Sequence, residues 1–367
     1  MADAPKIAVD YAARLGRVRA NLADMGLAQM LVSDPMSICW LTGFYVDPGE
    51  RFHGLVIRED AEPVLVVNDL FPTPEGLAVA TQGYRDEDDP LALVAGLTDH
   101  GAPLGCDKDL AARFLLPLRD AGAASDFVLG SPAVDGARAI KDAQEQELMR
   151  RASATNDKAM GVLRDLVREG VTERQIADQL LDVYRSLGAQ AHSFPPIVSF
   201  GAHGADPHHE PDDTPLGPRD SVLFDVGCVQ DGYCSDMTRV FFYRDVTEEE
   251  RTVYETVRRA NEAAAAVVRP GVLFSDIDKA ARDVITEAGY GPYFTHRLGH
   301  QIGMNDHEPG DVSAVHHEPI AAGVCHSIEP GIYLPGKFGV RIEDLCIVQE
   351  DGGEIINHYP HDLDVIA

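Results

Sequence analysis

Two acidic residues lie on either side of a predicted turn in the stretch from Ser221 to Tyr243. β-Branched and aromatic residues flank Gln230-Asp231-Gly232, and Asp-Gly is among the strongest short-range signals for a β-hairpin. With the turn near residues 230–231, Asp225 and Asp236 are predicted to face each other on paired strands. Like charges in that position destabilise a hairpin. The sequence therefore predicts two carboxylates that serve a purpose other than folding.

A second predicted hairpin repeats this arrangement in the stretch HSIEPGIYLPGKFGVRIEDLCIV. Its turn falls at Pro335-Gly336-Lys337, and Glu329 and Glu343 are equidistant from the central glycine. Carboxylate oxygens are the ligands that hard divalent cations prefer. Four acids in two facing pairs therefore indicate a cation site.

Histidines in the stretch THRLGHQIGMNDHEP supply a candidate nitrogen ligand, His300, with His296 and His307 close to it. A single histidine in an apolar strand is usually a core residue, but here Gly299 and Gly303 also allow the backbone to approach another group closely. An oxygen-rich set with one imidazole favours Mn²⁺ or a similar ion over a tetrahedral structural Zn²⁺. Two divalent ions would balance four carboxylates, lower the pKa of water and polarise a carbonyl, as hydrolysis requires.

An internal repeat links the two hairpins. The segment REGVTERQIADQLLDVYRSLG begins at Arg168, and RPGVLFSDIDKAARDVITEAG begins 101 residues later, at Arg269. Each copy is predicted to begin a helix with a capping box, Thr172 with Gln175 and Ser275 with Asp278. Each continues into a strand, a His-Glu-Pro phrase and one acidic hairpin. Duplicated units related by a pseudo-twofold axis would bring both hairpins to one site.

Composition and pattern predict two domains, residues 1–131 and 132–367. The first has alternating helix and strand signals, with a helix at 8–27 and a strand at Gln29–Val32, and the polar passage after Leu129 separates it from a long helix. A net charge of −29 argues against nucleic-acid and anionic-membrane binding. The N-terminal stretch lacks a signal-peptide pattern and no apolar run could span a bilayer, so we expect a soluble, cytoplasmic protein. Six scattered cysteines indicate reduced thiols and no disulfide framework.

Several of these phrases resemble the metal-site motifs of the creatinase/methionine-aminopeptidase superfamily, peptidase family M24. They are FDVGCVQDGYCSDMTR, HRLGHQIGMNDHE, SIEPGIY, GVRIED and, in the first domain, WLTGFYVDPGER. The layout is most similar to the bacterial Xaa-Pro dipeptidases, or prolidases. The resemblance implies an α/β (α+β) protein, with an N-terminal creatinase-like α/β domain and a C-terminal domain of the pita-bread fold with a pseudo-twofold internal repeat. It also implies two divalent metal ions, most simply Mn²⁺ with Co²⁺ or Zn²⁺ as options, and a homodimer.

The resemblance also implies residue roles. The positions that match the dinuclear metal ligands are Asp225, Asp236, His300, Glu329 and Glu343. Of these, Asp236 and Glu343 match bridging positions, and Glu329 also matches the residue used for proton transfer. His307 matches a histidine that contacts the substrate carbonyl or the tetrahedral intermediate, and His296 is a further catalytic candidate in the same cluster.

A second substrate-side histidine has two candidates. The family phrase aligns His208 with it, whereas the internal repeat aligns His209 with His307, and we favour His208. Arg341 is expected to support the neighbouring glutamate through a charged hydrogen bond. Several family dipeptidases hold the substrate carboxylate with an arginine shortly after the His-Glu pair. This chain has Asp311 near that position, which leaves Arg51 or Arg297 to supply the cation.

These patterns predict metal-dependent hydrolysis of small Xaa-Pro dipeptides. Because the expected arginine is missing, two alternatives on the same site are an aminopeptidase P and a hydrolase or lyase of a non-peptide metabolite. A non-catalytic binding protein of this fold and a metal-free creatinase-like enzyme are disfavoured because all five ligand positions are intact.

Overall fold

The computed structural model describes residues 9–367. Residues 1–8, which include the start of the stretch used for the localisation expectation and the first residue of the predicted helix 8–27, lie outside that range. The chain divides into two compact units, one ending at Arg138 and the other beginning at Ala139. The domain boundary at 131/132 stays a prediction of the sequence. Among residues 9–367, none of the helices combines the length and apolar character needed to cross a bilayer.

The first unit is built on a mixed sheet. Its elements are α1 (Tyr11–Asp24), β1 (Gln29–Val32), α2 (Pro35–Thr42), β2 (Gly54–Arg58), β3 (Val64–Asn68), β4 (Ala80–Tyr84), α3 (Pro90–Leu97), β5 (Leu104–Cys106), α4 (Ala112–Asp120), β6 (Phe127–Leu129) and α5 (Ser131–Ala139). The strand order is β4-β3-β2-β1-β5-β6. The predicted strand at Gln29–Val32 is confirmed as β1, whose four residues are all buried. The passage predicted to separate the domains contains α5.

The second unit begins with the predicted long helix. Its helices are α6 (Ala143–Leu166), α7 (Glu173–Leu187), α8 (Glu248–Val267) and α9 (Phe274–Glu287), with short 3₁₀ turns at Gly201–Ala205 and Gly291–Tyr293. Its strands are β7 (Ala191–His192), β8 (Ile197–Phe200), β9 (Ser221–Val226), β10 (Cys228–Gln230), β11 (Tyr233–Cys234), β12 (Met237–Tyr243), β13 (Gly299–Gln301), β14 (Glu308–Val312), β15 (Cys325–Ile328), β16 (Gly331–Leu334), β17 (Phe338–Arg341), β18 (Asp344–Gln349), β19 (Gly352–Ile355) and β20 (Asp364–Ile366).

The predicted duplication is present in the topology of this unit. In the first half, α6 and α7 precede the antiparallel strands β8-β9-β12, and in the second half α8 and α9 precede the antiparallel strands β13-β15-β18. Equivalent isolated bridges recur as well, Thr172 with Pro215 and Leu273 with Pro319. The apolar cores are shared between the halves: α6 and α7 pack with β8, β9 and β12, whereas the core of α8 and α9 also includes Leu223, Val240 and Phe242 of the first half. Met149 of α6 packs in a third cluster with Cys325, Leu345 and Ile347 of the second half.

The two predicted capping boxes have different outcomes. Thr172 and Gln175 bond reciprocally at the start of α7, as predicted. The box at Ser275 and Asp278 is wrong, because the N-cap of α9 lies two residues earlier, at Leu273, and has no side-chain cap. Asp278 is instead fully buried and accepts hydrogen bonds from Arg282 and from the Leu298 amide.

The first acidic hairpin has a different register from the predicted one. Its turn residues are Asp231 and Gly232, both at positive φ (52° and 85°), so the turn lies one residue later than expected. Asp225 therefore faces Thr238, and the prediction that Asp225 and Asp236 are opposite partners is wrong. The partner shifts by two residues, and side chains alternate with a period of two along a strand. The shift therefore keeps Asp236 on the side of the hairpin that Asp225 occupies.

The register of the second hairpin agrees with the prediction. Leu334 pairs with Phe338 around Gly336, and the same register continues into the main sheet, where Ile328 pairs with Asp344. Between these two paired segments the ladder is interrupted. Glu329 and Glu343 lie at the interruption, where their side chains are released from the regular pleat.

Candidate active site

A cavity of about 860 Å³ in the second unit collects the predicted residues. Its acidic members are Asp225, Asp236, Asp306, Glu329, Glu343 and Glu210, its basic and histidine members are His208, His209, His296, His300, His307, Arg297 and Arg341, and its apolar members include Phe194, Pro195, Pro196, Ile197, Pro207 and Pro211. All five predicted metal ligands and all four predicted catalytic residues line it. Its volume is within the usual range for a small-molecule site.

In the first hairpin, one acid lies within a paired strand and the other lies in the gap between two strands. Asp225 lies on β9, whereas Asp236 lies between β11 and β12, opposite Gly227 in the hairpin's register. A Cβ at Gly227 would lie 2.1 Å from the Ser235 carbonyl oxygen, so only glycine fits there. The backbones at Gly227 and Ser235 thus approach closely beside Asp236, at the break between the two paired segments.

His300 lies on β13 with its reactive nitrogen toward the acids. Its Nδ1–H donates to the Gln301 carbonyl (3.1 Å), which leaves Nε2 unprotonated and 3.5 Å from both Asp236 Oδ2 and Glu329 Oε1. A backbone bond that sets the tautomer in this way is typical of metal-binding histidines. One ligand atom each from Asp236, His300 and Glu343 lie within 4.8 Å of one another.

The close backbone approach predicted at Gly299 and Gly303 is also present. A Cβ at Gly299 would lie 2.1 Å from the Ser327 carbonyl oxygen, and one at Gly303 would lie 2.7 Å from the Glu308 carboxylate. The first contact brings β13 against β15, and the Glu329 amide donates to the Leu298 carbonyl beside it (2.9 Å). The glycine thus allows His300 and Glu329 to approach each other.

Arg341 has a different partner from the predicted one. Its Nη2 donates to Asp225 Oδ2 (2.6 Å), so it neutralises an acid of the other hairpin and does not bond to a glutamate. Its Nε donates to the Thr238 hydroxyl (2.9 Å), and that hydroxyl donates to Glu343 Oε2 (2.6 Å). The support of Glu343 by Arg341 is therefore indirect and passes through Thr238.

A second arginine, Arg239, bonds to the chain at Glu343 and Asp344 and so fixes the position of Glu343. It is 1% exposed, pairs with Asp344 (2.7 Å) and donates to the Glu343 carbonyl (2.7 Å). The pKa of Asp344 is lowered to about 2, because the attraction of Arg239 and bonds from His361 outweigh the opposing effect of burial. Sequence reasoning missed Thr238 and Arg239, although both lie in the quoted phrase CSDMTR, next to a predicted ligand.

The charges of the site favour bound cations. Burial, followed by repulsion from neighbouring acids, raises the pKa values of Asp236 and Glu343 well above their ordinary range, and burial raises the pKa of Glu329 to about 7. Oδ1 of Asp225 and Oδ1 of Asp236 are buried without a hydrogen-bond partner among the described residues. Carboxylates in such surroundings are stable when they are paired or coordinate metal. The donor set therefore fits the divalent cations that the sequence predicts.

Three predicted catalytic histidines differ in how they are held. His307 stacks on His300 with ring centroids 3.9 Å apart, and its side chain is 61% exposed to the cavity. His208 is also exposed. His296 is held at both nitrogens: Nδ1–H donates to the Arg297 carbonyl (2.6 Å) and Nε2 accepts from the Tyr333 hydroxyl (2.8 Å). Burial lowers the pKa of His296 to about 4, so it is neutral.

The remaining candidates from the sequence, His209, Arg297 and Arg51, are each bonded to an acidic side chain. His209 is bonded to the buried Glu173 (2.7 Å), which leaves His208 as the freer histidine of the pair. Arg297 lines the cavity but is bonded to Asp311. Arg51 is in the first unit, where it forms an ion pair with Asp86 (2.8 Å).

Asp306 is a cavity residue that sequence reasoning missed. Burial raises its pKa to about 6, and its Oδ2 lies 3.5 Å from His307 Nε2. The available signal was its place between Asn305 and His307 in the histidine stretch. It was not recognised because it has no acidic partner across a predicted hairpin.

A cluster of buried carboxylates with one imidazole, at the base of a histidine-lined cavity in a duplicated α/β unit, defines the chain as a metallohydrolase. Comparisons with known proteins give the family. Metallopeptidase family M24 matches residues 147–350, and the creatinase/prolidase N-terminal domain matches residues 14–140. The chain belongs to metallopeptidase family M24 and is a peptidase. The predicted fold class is thereby confirmed, with a creatinase-like N-terminal domain and a C-terminal pita-bread domain.

This chain aligns with individual relatives over nearly the whole length of both proteins. The chain is 34% identical to the putative dipeptidase YkvY of Bacillus subtilis (strain 168), over 96% of this chain and 99% of that protein. It is similar to the crystal structure of dipeptidase PepE from Mycobacterium ulcerans, with a TM-score of 0.91, 35% identity and coverage of 97% and 98% of the two chains. For a recombinant prolidase from Thermococcus sibiricus the TM-score is 0.92, the identity 31% and the coverage 98% and 100%.

Proposed function

We propose that this peptidase hydrolyses Xaa-Pro dipeptides with two divalent metal ions held by Asp225, Asp236, His300, Glu329 and Glu343. The observation that carries the proposal is the meeting of all five side chains at the base of one cavity whose wall carries free histidines. Mn²⁺ suits this donor set, since carboxylates dominate and one imidazole is present. When bound, the ions supply an activated water molecule and polarise the scissile carbonyl.

The protein's own groups then have separate tasks. Glu329, whose Oε1 lies 3.5 Å from His300 Nε2 in the cavity, takes a proton from the attacking water and passes it to the leaving nitrogen. His307 is exposed beside His300 and donates a hydrogen bond to the developing oxyanion. His208, a second exposed histidine of the cavity, also contacts the substrate. His296, with both nitrogens already bonded, orients Tyr333 and the Arg297 backbone and does not transfer protons.

The shape of the cavity supports a proline substrate. Pro195, Pro196, Pro207 and Pro211 form much of its apolar wall, against which a pyrrolidine ring can pack. The nitrogen of an Xaa-Pro bond has no hydrogen to donate, so an apolar wall leaves no substrate donor unsatisfied. Arg297 is the cavity cation positioned for a substrate carboxylate, because Arg341 is committed to Asp225.

A turnover assay on a dipeptide panel tests the proposal. Xaa-Pro dipeptides, the matching Xaa-Ala dipeptides and Xaa-Pro tripeptides are compared with Mn²⁺, Co²⁺ or Zn²⁺ added to metal-stripped protein. We expect hydrolysis of the Xaa-Pro dipeptides, strongest with Mn²⁺, and loss of activity in Glu343→Gln. Equal turnover of Xaa-Ala dipeptides would remove the proline specificity, and full activity in Glu343→Gln would remove the metal site.

The pairing of Arg297 with Asp311 favours a second candidate, an aminopeptidase P-like activity on longer Xaa-Pro peptides. Asp311 offsets the positive charge that a dipeptide carboxylate would need. In this case the tripeptides of the same panel are hydrolysed faster than the dipeptides. The homodimer, tested by sedimentation, stays a prediction from the resemblance, and the cytoplasmic location stays a prediction from the sequence pattern.

A further inference from the structure

A second group of possible metal ligands lies around Glu173, the first residue of α7. Its side chain is fully buried, and four hydrogen-bond donors surround the carboxylate. The backbone amides of Phe200 (2.8 Å) and Asp212 (3.2 Å) each bond to one of its oxygens. His203 Nδ1 lies 2.9 Å from Oε1, and His209 Nε2 lies 2.7 Å from Oε2. The two backbone amides fix the carboxylate between the two imidazoles.

The imidazoles converge on this carboxylate from the same side. The rings of His203 and His209 lie 4.2 Å apart at a tilt of 35°, so their nitrogens are held at neighbouring positions. Asp212 completes the group, and one ligand atom from each of the four residues lies within 4.8 Å of the others. His203 is 35% exposed, which gives solvent access to the group.

Hydrogen bonding to the Glu173 carboxylate does not by itself require two histidines beside it. Each oxygen of Glu173 already accepts from a backbone amide, and each also has one histidine nitrogen beside it. A cation between these groups would replace the two imidazole protons and keep the two amide bonds as outer support, the usual arrangement around a metal-binding carboxylate. Two imidazoles and two carboxylates form a donor set for a borderline ion such as Zn²⁺ or Co²⁺.

We infer that Glu173, His203, His209 and Asp212 form a second metal site that binds a borderline divalent cation, separate from the ligands proposed for hydrolysis. The site lies at the edge of the cavity, because His209 and Glu210 also line it. The inference stands independently of the proposed reaction, since it uses none of the five ligands at the base of the cavity.

Co²⁺ binding to the full chain tests this site. The background is the double variant Asp236→Asn/Glu343→Gln, in which two cavity ligands are disabled. Co²⁺ stoichiometry is measured by equilibrium dialysis, and the visible d–d bands report nitrogen and oxygen ligation. We expect one equivalent of Co²⁺ to remain, and an affinity loss of at least about tenfold in His203→Gln and in His209→Gln. His208→Gln is the matched control and should bind Co²⁺ as the background does.

Circular dichroism of each variant separates loss of ligands from loss of fold. If a histidine variant does not fold, the partly exposed Asp212→Asn replaces it, with weaker Co²⁺ binding and shifted d–d bands expected. A background variant that binds no Co²⁺ would overturn the site. So would unchanged affinity in the folded His203, His209 or Asp212 variants. Neither outcome bears on peptide hydrolysis, which the dipeptide panel tests separately.

Discussion

Thr238 is one of the residues that join the two acidic hairpins, since its hydroxyl accepts from Arg341 and donates to Glu343. Thr238→Val keeps the side-chain shape and removes both bonds. We expect about 10- to 100-fold weaker metal binding, the usual effect of losing a group that orients a ligand. Titration of metal-stripped protein with Mn²⁺ measures it. Thr256→Val is the control, a buried threonine whose hydroxyl bonds only within α8, and it should bind metal normally.

His307 tests the assignment of the oxyanion donor. His307→Ala is expected to lower kcat about 10²- to 10³-fold while bound metal is retained, because the lost bond forms only as charge develops on the substrate. Steady-state kinetics and metal analysis of the same sample provide both readouts. The exposed His317, on the following loop and outside the cavity, gives the control variant His317→Ala. An unchanged kcat/KM in His307→Ala would exclude His307 from the reaction.

We expect His53 to make the first unit sensitive to acid. It is 3% exposed, and neither ring nitrogen has a hydrogen-bond partner among the described residues. Burial lowers its pKa to about 4, whereas the unfolded value is about 6.5. The unfolded chain therefore binds the proton first, and stability present above pH 6.5 is lost as the pH falls toward 4. At pH 5 the loss from this one group is about 2 kcal/mol.

The variant His53→Phe removes this titration and keeps a ring in the same space. Its drop in Tm between pH 7 and pH 5 should be smaller than that of the unsubstituted protein, as differential scanning fluorimetry can measure. The exposed His100 in the same unit provides the control, His100→Phe, whose pH dependence should match the unsubstituted protein. An identical pH dependence in His53→Phe would show that this histidine is not the source of acid sensitivity.

Among the elements, β13 is one whose position depends on a single glycine. In Gly299→Ala the new Cβ would meet the Ser327 carbonyl at 2.1 Å, so β13 must move away from β15 and carry His300 with it. We expect a loss of about 1 to 3 kcal/mol of stability together with weaker metal binding. Thermal unfolding and Mn²⁺ titration measure the two effects. Gly161→Ala, within α6 and with its nearest neighbour 3.9 Å away, should leave both unchanged or raise stability slightly.

The elements also show what local sequence can and cannot predict. The Asp-Gly turn was recognisable, but its two central residues are Asp231 and Gly232, and placing the turn one residue early assigned Asp225 the wrong partner. Ser275 and Asp278 have the pattern of a capping box. Asp278 is nevertheless held by Arg282 and by the amide of Leu298, which is distant in the sequence. Local patterns thus predict that a turn or helix exists more reliably than they predict its first residue.

At the scale of the whole molecule, the duplication was predictable because both copies repeat the same residues at a constant spacing. The five proposed ligands could be named for the same reason, together with the family resemblance. The pairing of Arg341 with Asp225 could not, since 116 residues separate them and neither belongs to a local pattern with the other. Asp306 was missed because its burial against the histidines depends on the folded cavity.

The net charge of −29 affects the stability of the whole chain. Self-repulsion at this charge opposes the compact state. Raising the ionic strength from about 0.01 M to about 1 M shortens the screening length from about 30 Å to about 3 Å, so we expect Tm to rise. Scanning calorimetry with choline chloride measures this effect without a cation that could bind the carboxylates. A Tm that falls with salt would mean that the surface ion pairs contribute more than the net charge.

The bonds between the two hairpins also make the two halves of the duplicated unit depend on each other. Arg341 of the later copy neutralises Asp225 of the earlier one, and Thr238 of the earlier copy holds Glu343 of the later one. Each copy thus depends on the other for the partners of its own acids. A chain engineered to carry the earlier half twice would bury Asp225 without Arg341, and one carrying the later half twice would leave Glu343 without Thr238, so neither half can replace the other by simple exchange.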